Sequence, residues 1–224
     1  MGFVGGQPPK GTQPVEQTAP KKKTFTENMR IWFKGILEPI AAFLNRIGLT
    51  PNSITLTGLA GNILGAFLLA KGYFLWGGIL VLLMGPLDAL DGTMARLRGE
   101  ASEWGAFVDS VTDRYSELII FGGLIYYYAT QPETPLNTTM LMLAFAAAAG
   151  SVLVSYTKAR ADSLKYNANI GLLTRMERYM ILAPALVLGI PAVAIVIIAF
   201  LANITAIQRI WKVRSEAHAR MKPK

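Results

Sequence analysis

DALDGTMARLRGEASEWGAFVDSVTD, residues 88–113, carries four aspartates between two of the most apolar stretches of the chain. GYFLWGGILVLLMGPL runs into it, and LIIFGGLIYYYA follows shortly after. An ionised carboxylate inside a membrane costs several kcal/mol even on lenient insertion scales. Something must offset that cost, and the spacing of the aspartates says what. Asp88 and Asp91 are three apart, and Asp109 and Asp113 are four apart, so each pair shares one face of a helix. Gly99 to Ser102 reads as the turn between the two helices. Asp88 and Asp113 stand almost equally far from that turn, and so do Asp91 and Asp109. An antiparallel hairpin therefore brings all of them to one level, roughly 15 Å from the turn at about 1.5 Å per residue. Carboxylates so crowded do not all ionise without a counter-ion. One or two divalent cations supply it, because hard cations take oxygen ligands.

The neighbours of the aspartates fit a ligand. Gly92 sits inside the helix, where glycine costs about 1 kcal/mol relative to alanine. It is tolerated where a ligand or another helix approaches the backbone. Ala95 and Gly105 keep one face small, and Arg96, one turn beyond Gly92, adds a cation to it.

Outside this stretch the chain is built for lipid. Of its 224 residues 52% are hydrophobic and only 16% charged, against about 25% charged in a soluble domain. Several apolar runs approach the roughly 20 residues that cross a bilayer as a helix. They are continuous rather than alternating, which favours helices over a barrel. The expected fold is all-α: a polytopic membrane protein with six transmembrane helices, near 53–71, 74–97, 103–129, 137–163, 173–189 and 191–213. Asn52 or Ser53 is the expected N-cap of the first, and Gly58, Gly61 and Gly65 let it pack closely on a neighbour. Ala146 to Ala149 reads as another close-packing surface.

Before the spans, Phe25, Met29, Trp32, Phe33, Ile36, Leu37 and Ile40 recur at helical spacing, with Arg30, Lys34 and Glu38 opposite. Residues 24–48 are thus expected to form an N-terminal interfacial amphipathic helix, bent at Pro39. Residues 1–23 are polar, rich in Pro, Gly and Gln, and show no cleavable signal. They read as a disordered tail or one left by cloning. Residues 49–214 then form the membrane domain, and 215–224 a basic cytoplasmic tail.

Charge orients the chain. The net charge is +8, and the basic residues gather on one side of the six expected spans. The three outer turns hold only Lys71 and Glu133. This asymmetry predicts both ends in the cytoplasm, a multi-pass protein of the cytoplasmic membrane, and aspartates facing the cytoplasm. It also assigns the positive charge to anionic lipids rather than nucleic acid. There is no cysteine, and the one histidine, His218, lies in the polar tail. Disulfides, thiolate nucleophiles and Cys-ligated zinc are excluded. Any metal is held by oxygen, which favours Mg²⁺, Ca²⁺ or Mn²⁺. Two other readings of the aspartates stand beside a metal site: a hairpin whose carboxylates pair only with Arg96, Arg98 and Arg114, and a cation channel or transporter.

The pattern Asp88-x2-Asp91-Gly92-x2-Ala95-Arg96-x8-Gly105-x3-Asp109-x3-Asp113 resembles the signature of the CDP-alcohol phosphotransferases. The likeness covers roughly residues 25–214. It implies transfer of a phosphatidyl-type group from a CDP-lipid such as CDP-diacylglycerol to an alcohol, with release of CMP. It also implies that Asp88, Asp91 and Asp109 bind Mg²⁺ or Mn²⁺. Asp113 would lie close to the metal, as a further ligand and as general base. Gly92, Ala95, Arg96 and Gly105 would line the cytidine diphosphate site, and the protein would be a homodimer.

Basic residues at three helix ends suggest the acceptor. Ser155, Lys158 and Arg160 close the fourth expected span, Arg178 opens the fifth, and Arg209 ends the sixth. Together they suit an anionic acceptor, since arginine binds phosphate through two N–H groups at once. Membrane anchoring alone also accounts for each of them singly. The segments SYTKARAD, RMER and Gln208-Arg209 resemble one branch of the family, the prokaryotic phosphatidylinositol-phosphate synthases. That likeness implies inositol 1-phosphate as acceptor, its phosphate held by Ser155, Lys158, Arg160, Arg178 and Arg209. Asn52 and Thr55 would meet its hydroxyls. Asn52 stands where an aspartate can occur, and Met176 where proline is common. A glycerol phosphate acceptor also wants a cationic pocket, so a phosphatidylglycerophosphate synthase is the alternative.

Overall fold

The computed structural model describes residues 25–221, with side chains from residue 35 onward. The tail expected over 1–23 lies outside the described residues. Seven helices follow one another: α1 Phe25–Arg46, α2 Pro51–Ala70, α3 Phe74–Arg98, α4 Glu103–Ala129, α5 Pro135–Ser163, α6 Arg175–Val187 and α7 Pro191–Met221. No strand occurs among the described residues. The chain divides after Ile36 into two compact units. Of the first, the described part is the N-terminal half of α1. The second holds everything from Leu37 onward.

Helix ends follow local chemistry. Thr50 caps α2 by accepting from the Ser53 amide at 3.2 Å, with Pro51 in the first turn. The cap is thus Thr50, not Asn52 or Ser53, because a proline needs no amide partner at the first helical position. Gly99 ends α3 in the left-handed region, φ 69°, where a side chain is strained. Ser102 caps α4 at 3.1 Å from the Gly105 amide. Thr174 and Glu177 form a capping box at α6. α1 continues through Pro39. α7 runs past the expected end at 213 and through the basic tail to Met221. No breaker interrupts that stretch, and Lys212 pairs with Glu216 one turn on at 3.2 Å.

α2 is the wedge of the larger unit. It packs along both α3 and α4, while α3 and α4 touch each other little. The expected hairpin is therefore splayed, and its two aspartate-bearing faces look at each other across a gap. Small residues permit the wedge. A Cβ on Gly65 would lie 3.3 Å from Val81 and 3.4 Å from the Gly77 carbonyl. A Cβ on Gly123 of α4 would collide with the Ala66 backbone of α2. Gly123→Val is expected to cost about 1–3 kcal/mol by overpacking, read as a lower Tm in detergent. Gly58 faces nothing within 4 Å, so of the three glycines Gly61 and Gly65 make the close approach. On the other side, α5 lies along α7, with Ala147 and Ala148 buried and Asn203 donating to the Ala146 carbonyl at 3.0 Å.

The main core runs through Leu69, Val81, Phe121, Leu124, Leu186, Ile195 and Ile198. A smaller one joins Ala41 to Ile54, Leu90 and Met94, with Leu37 and Leu44 against it. Among the described residues four helices, α2, α3, α5 and α7, are long and apolar enough to cross a membrane. Large side chains such as Leu56, Phe67, Trp76, Phe145 and Phe200 point outward from them. α4 has the length but carries Asp109, Asp113, Arg114 and Glu117. α6, at 13 residues, spans only about 20 Å.

Candidate functional site

The gap between α3 and α4 holds the aspartates. Asp88, Asp91 and Asp109 each bring a carboxylate oxygen to a cluster whose members lie within 4.8 Å of one another. Two ligands on opposite sides of a Mg²⁺-sized ion stand about 4.2 Å apart, so a few tenths of an ångström of side-chain movement fits one ion. Three hard oxygen donors on two helices suit Mg²⁺ or Mn²⁺.

α2 contributes to this cluster from behind. Thr55 donates to Asp91 Oδ2 at 2.5 Å, and the Gly92 amide lies 2.5 Å from Asp91 Oδ1. Asp91 is 4% exposed, and these bonds orient its carboxylate toward the cluster. Thr55 was expected at the acceptor's hydroxyls; the structure places its own hydroxyl on a metal-ligand candidate. Asn52 is exposed in the first turn of α2.

Asp113 lies deeper, 7% exposed, and its Oδ1 has no hydrogen-bond partner among the described residues. Its Oδ2 pairs with Arg175 Nη1, while Arg175 Nη2 lies 2.7 Å from Asp88 Oδ2. The sequence explains how α6 delivers this arginine. Arg175 and Tyr179 are four apart and share a face. Gly85 and Asp88 are three apart on α3. The Tyr179 ring fills the space a side chain on Gly85 would need, and its hydroxyl donates to the Leu82 carbonyl at 2.6 Å. With the ring seated there, Arg175 falls on Asp88. One turn along, Arg178 meets Glu117 of α4 in two parallel bonds of 2.7 and 2.9 Å. Asp88, Asp113, Glu117, Arg175 and Arg178 line one cavity of about 70 Å³. Arg175 and Glu117 were not expected at the site. The hairpin spacing gave no sign of α6, and only the RMER segment pointed there.

The Gly92 face is open. A Cβ on Gly92 would meet only Arg96 Nη1, at 3.4 Å. Arg96 is exposed and held by Thr93 at 2.9 Å; Ala95 is half-buried and Gly105 exposed. Each of the four is at least partly accessible to a ligand. Arg98 faces away, donating to Asn45 and to the Leu49 carbonyl, each at 2.6 Å. Arg114 donates to the Ser110 carbonyl. Among the described residues none of these three arginines forms an ion pair with the aspartates; the arginine that does is Arg175 of α6.

The five expected acceptor residues part company. Lys158 and Arg160 are exposed at the end of α5, and Ser155 is half-buried. Arg178 is 1% exposed and engaged by Glu117. Arg209 is 4% exposed and donates to the Ile170 carbonyl at 2.9 Å and the Val154 carbonyl at 2.5 Å. Arg178 also donates to the Leu173 carbonyl at 3.5 Å, so both buried arginines hold the segment between α5 and α6, as does Thr205 by accepting from the Leu173 amide at 3.0 Å.

This arrangement has relatives. A family model described as CDP-alcohol phosphatidyltransferase matches residues 48–212. A phosphatidylinositol phosphate synthase of Streptomyces avermitilis is 38% identical over 210 residues, covering 88% of this chain and 85% of its own length. One of Cutibacterium acnes is 37% identical over 156 residues, 69% of this chain and 74% of the relative. Among solved structures, the Mycobacterium tuberculosis phosphatidylinositol phosphate synthase with CDP-DAG bound superposes with TM-score 0.73 at 30% identity, over 80% of this chain and 93% of that one. The same enzyme with manganese and citrate gives TM-score 0.74 at 29% identity, over 80% and 89%. The channel reading of the carboxylates gives way to an enzyme: the chain belongs to the CDP-alcohol phosphatidyltransferase family.

Proposed function

We propose that the protein transfers the phosphatidyl group of CDP-diacylglycerol to inositol 1-phosphate, giving phosphatidylinositol phosphate and CMP. The observation that carries this reading is the cluster of Asp88, Asp91 and Asp109, with Asp113 buried beside it. The names of the relatives and the CDP-DAG and manganese in the solved structures support the substrates and the metal.

Asp88, Asp91 and Asp109 hold a divalent cation, Mg²⁺ or Mn²⁺. When bound, it neutralises the diphosphate and the charge that gathers on departing CMP. Gly92, Ala95, Arg96 and Gly105 admit the cytidine diphosphate along the open face, with the lipid tails left in the bilayer. Asp113 takes the proton of the attacking hydroxyl. A bond forms from that oxygen to the lipid-linked phosphorus, the bond to the CMP oxygen breaks, and CMP leaves with the electron pair. Ser155, Lys158 and Arg160, with the unused N–H groups of Arg209, bind the acceptor phosphate. Arg178 holds the segment beside them. Asn52 and Thr55 lie at the acceptor's hydroxyls, Thr55 through its bond to Asp91.

The setting belongs to the same reading. α2 to α7 form six membrane crossings, with Asp113 and Glu117 of α4 and Arg178 of α6 turned inward, and Arg175 and Glu177 in the first turn of α6 near its end. α1 lies in the interface: Ala41 and Leu44 pack inward while Ile40, Phe43 and Ile47 stay exposed, which suits a headgroup boundary. The site faces the cytoplasm, and the protein works as a homodimer in the cytoplasmic membrane. The test is CMP release from CDP-diacylglycerol, with and without Mg²⁺, across inositol 1-phosphate, glycerol 3-phosphate, free inositol and serine. Metal-dependent release with inositol 1-phosphate is expected. Release with glycerol 3-phosphate alone would make the protein a phosphatidylglycerophosphate synthase instead.

A further inference from the structure

Arg175 is an odd partner for the aspartates it holds. Its side chain is 50% exposed, while those of Asp88 and Asp113 are 25% and 9% exposed. So exposed a guanidinium adds little stability as an ion pair. Yet it takes an oxygen from each of two carboxylates that the reaction needs. Asp88 belongs both to the Asp88–Asp91–Asp109 cluster and to the Arg175 pair. A metal ion and the guanidinium therefore draw on the same carboxylate.

The two arginines of α6 differ in what they allow. Arg178 is sealed, 2% exposed and bonded twice to Glu117. The backbone at Arg175 is fixed by the capping box before it and by Tyr179 one turn on. Its side chain is nonetheless half exposed. It leaves the carboxylates by rotation of the side chain alone, with no movement of a helix. Its planar fork matches a phosphate as well as a carboxylate.

We propose that Arg175 is a latch between the acceptor and the metal site. Without acceptor, its guanidinium occupies Asp88 and Asp113. The phosphate of the arriving acceptor draws it off both, which leaves Asp88 to the metal and Asp113 to the attacking hydroxyl. The site is then complete only when the acceptor is in place. This deepens the reading given above and rests on its phosphate-bearing acceptor. Arg175 acts here as a positioning residue, through the two aspartates.

The coupling is reciprocal by linkage, so metal binding reports it without turnover. Mn²⁺ binding is followed by electron paramagnetic resonance of the free ion, on the full chain in nanodiscs. The native protein is compared with Arg175→Met and Arg175→Lys, with and without inositol 1-phosphate and with no CDP-lipid. Without acceptor, R175M is expected to bind Mn²⁺ about tenfold tighter than native, with R175K between them. Saturating inositol 1-phosphate is expected to tighten Mn²⁺ binding to the native protein by a similar factor and to leave R175M almost unchanged. Direct chelation by the phosphate is common to both proteins and cancels. Unchanged or weaker Mn²⁺ binding by R175M overturns the latch, as does an equal acceptor effect in both proteins. If R175M does not fold, R175K decides alone, because an ammonium does not fork across two carboxylates. If CMP release and the Mn²⁺ effect both follow glycerol 3-phosphate instead, the acceptor assignment fails while the latch stands.

Discussion

Asp91→Asn is expected to lower metal-dependent CMP release by roughly a thousandfold while leaving the fold intact. The metal supplies several kcal/mol of transition-state stabilisation, and each 1.36 kcal/mol is about a factor of ten in rate. Asp91 is the most buried of the three clustered carboxylates and is oriented by Thr55 and the Gly92 amide. An asparagine keeps the shape and keeps an oxygen to accept from Thr55. It loses the charge that draws the ion. The change loses the bond from the Gly92 amide but relieves the crowding of three like charges, so Tm is expected to hold within a few degrees. CMP release and Tm, measured on the same detergent sample, check both halves. A large fall in Tm would mean that Asp91 serves the fold rather than the metal.

Glu117→Ala is expected to do the reverse and strike the fold first. Arg178 would be left buried, charged and without its carboxylate. Breaking such a pair costs about 3–5 kcal/mol, or a drop of about 10 °C in Tm for a chain of this size. Activity would follow, because Arg178 is on the helix that also carries Arg175. The double change Glu117→Leu with Arg178→Met removes both charges and is expected to recover most of the stability, since well-packed apolar residues often replace a buried pair at little cost. Thermal unfolding of the two variants side by side decides it. Equal losses in both would show that the pair does not act as a unit.

How much of this was legible in the sequence depended on distance along the chain. The aspartate register lies within 26 residues and follows from helical spacing alone, and α4 begins and ends where the apolar pattern and the Gly99–Ser102 turn put it. The splay of α3 from α4 was not legible, because it depends on α2 entering between them. Glu117 was missed for a related reason. It is one turn beyond Asp113, on the same face, but its partner is 61 residues away. The seating of Tyr179 against Gly85, with Leu182 and Leu186 in the core, sets which side of α6 turns inward. Arg178 and Arg209 were read as ligands because their positions at helix ends were visible. Their use as staples for backbone carbonyls was not, since carbonyls carry no mark in a sequence.

The counter-charges of the site come from the last part of the chain. Arg175 and Asp88 are 87 residues apart. A ribosome has therefore finished both aspartate-bearing helices well before it makes α6. Over that interval Asp88 and Asp113 lack the Arg175 guanidinium, and Glu117 lacks that of Arg178. An unpaired charge in an apolar setting is costly, so these carboxylates gain their counter-charge only when α6 is made. Assembly of the catalytic centre is thus a late event in biogenesis. A nascent chain halted before residue 175 has all four aspartates and neither arginine of α6, and quality-control proteases that sense exposed charge would meet it in that form.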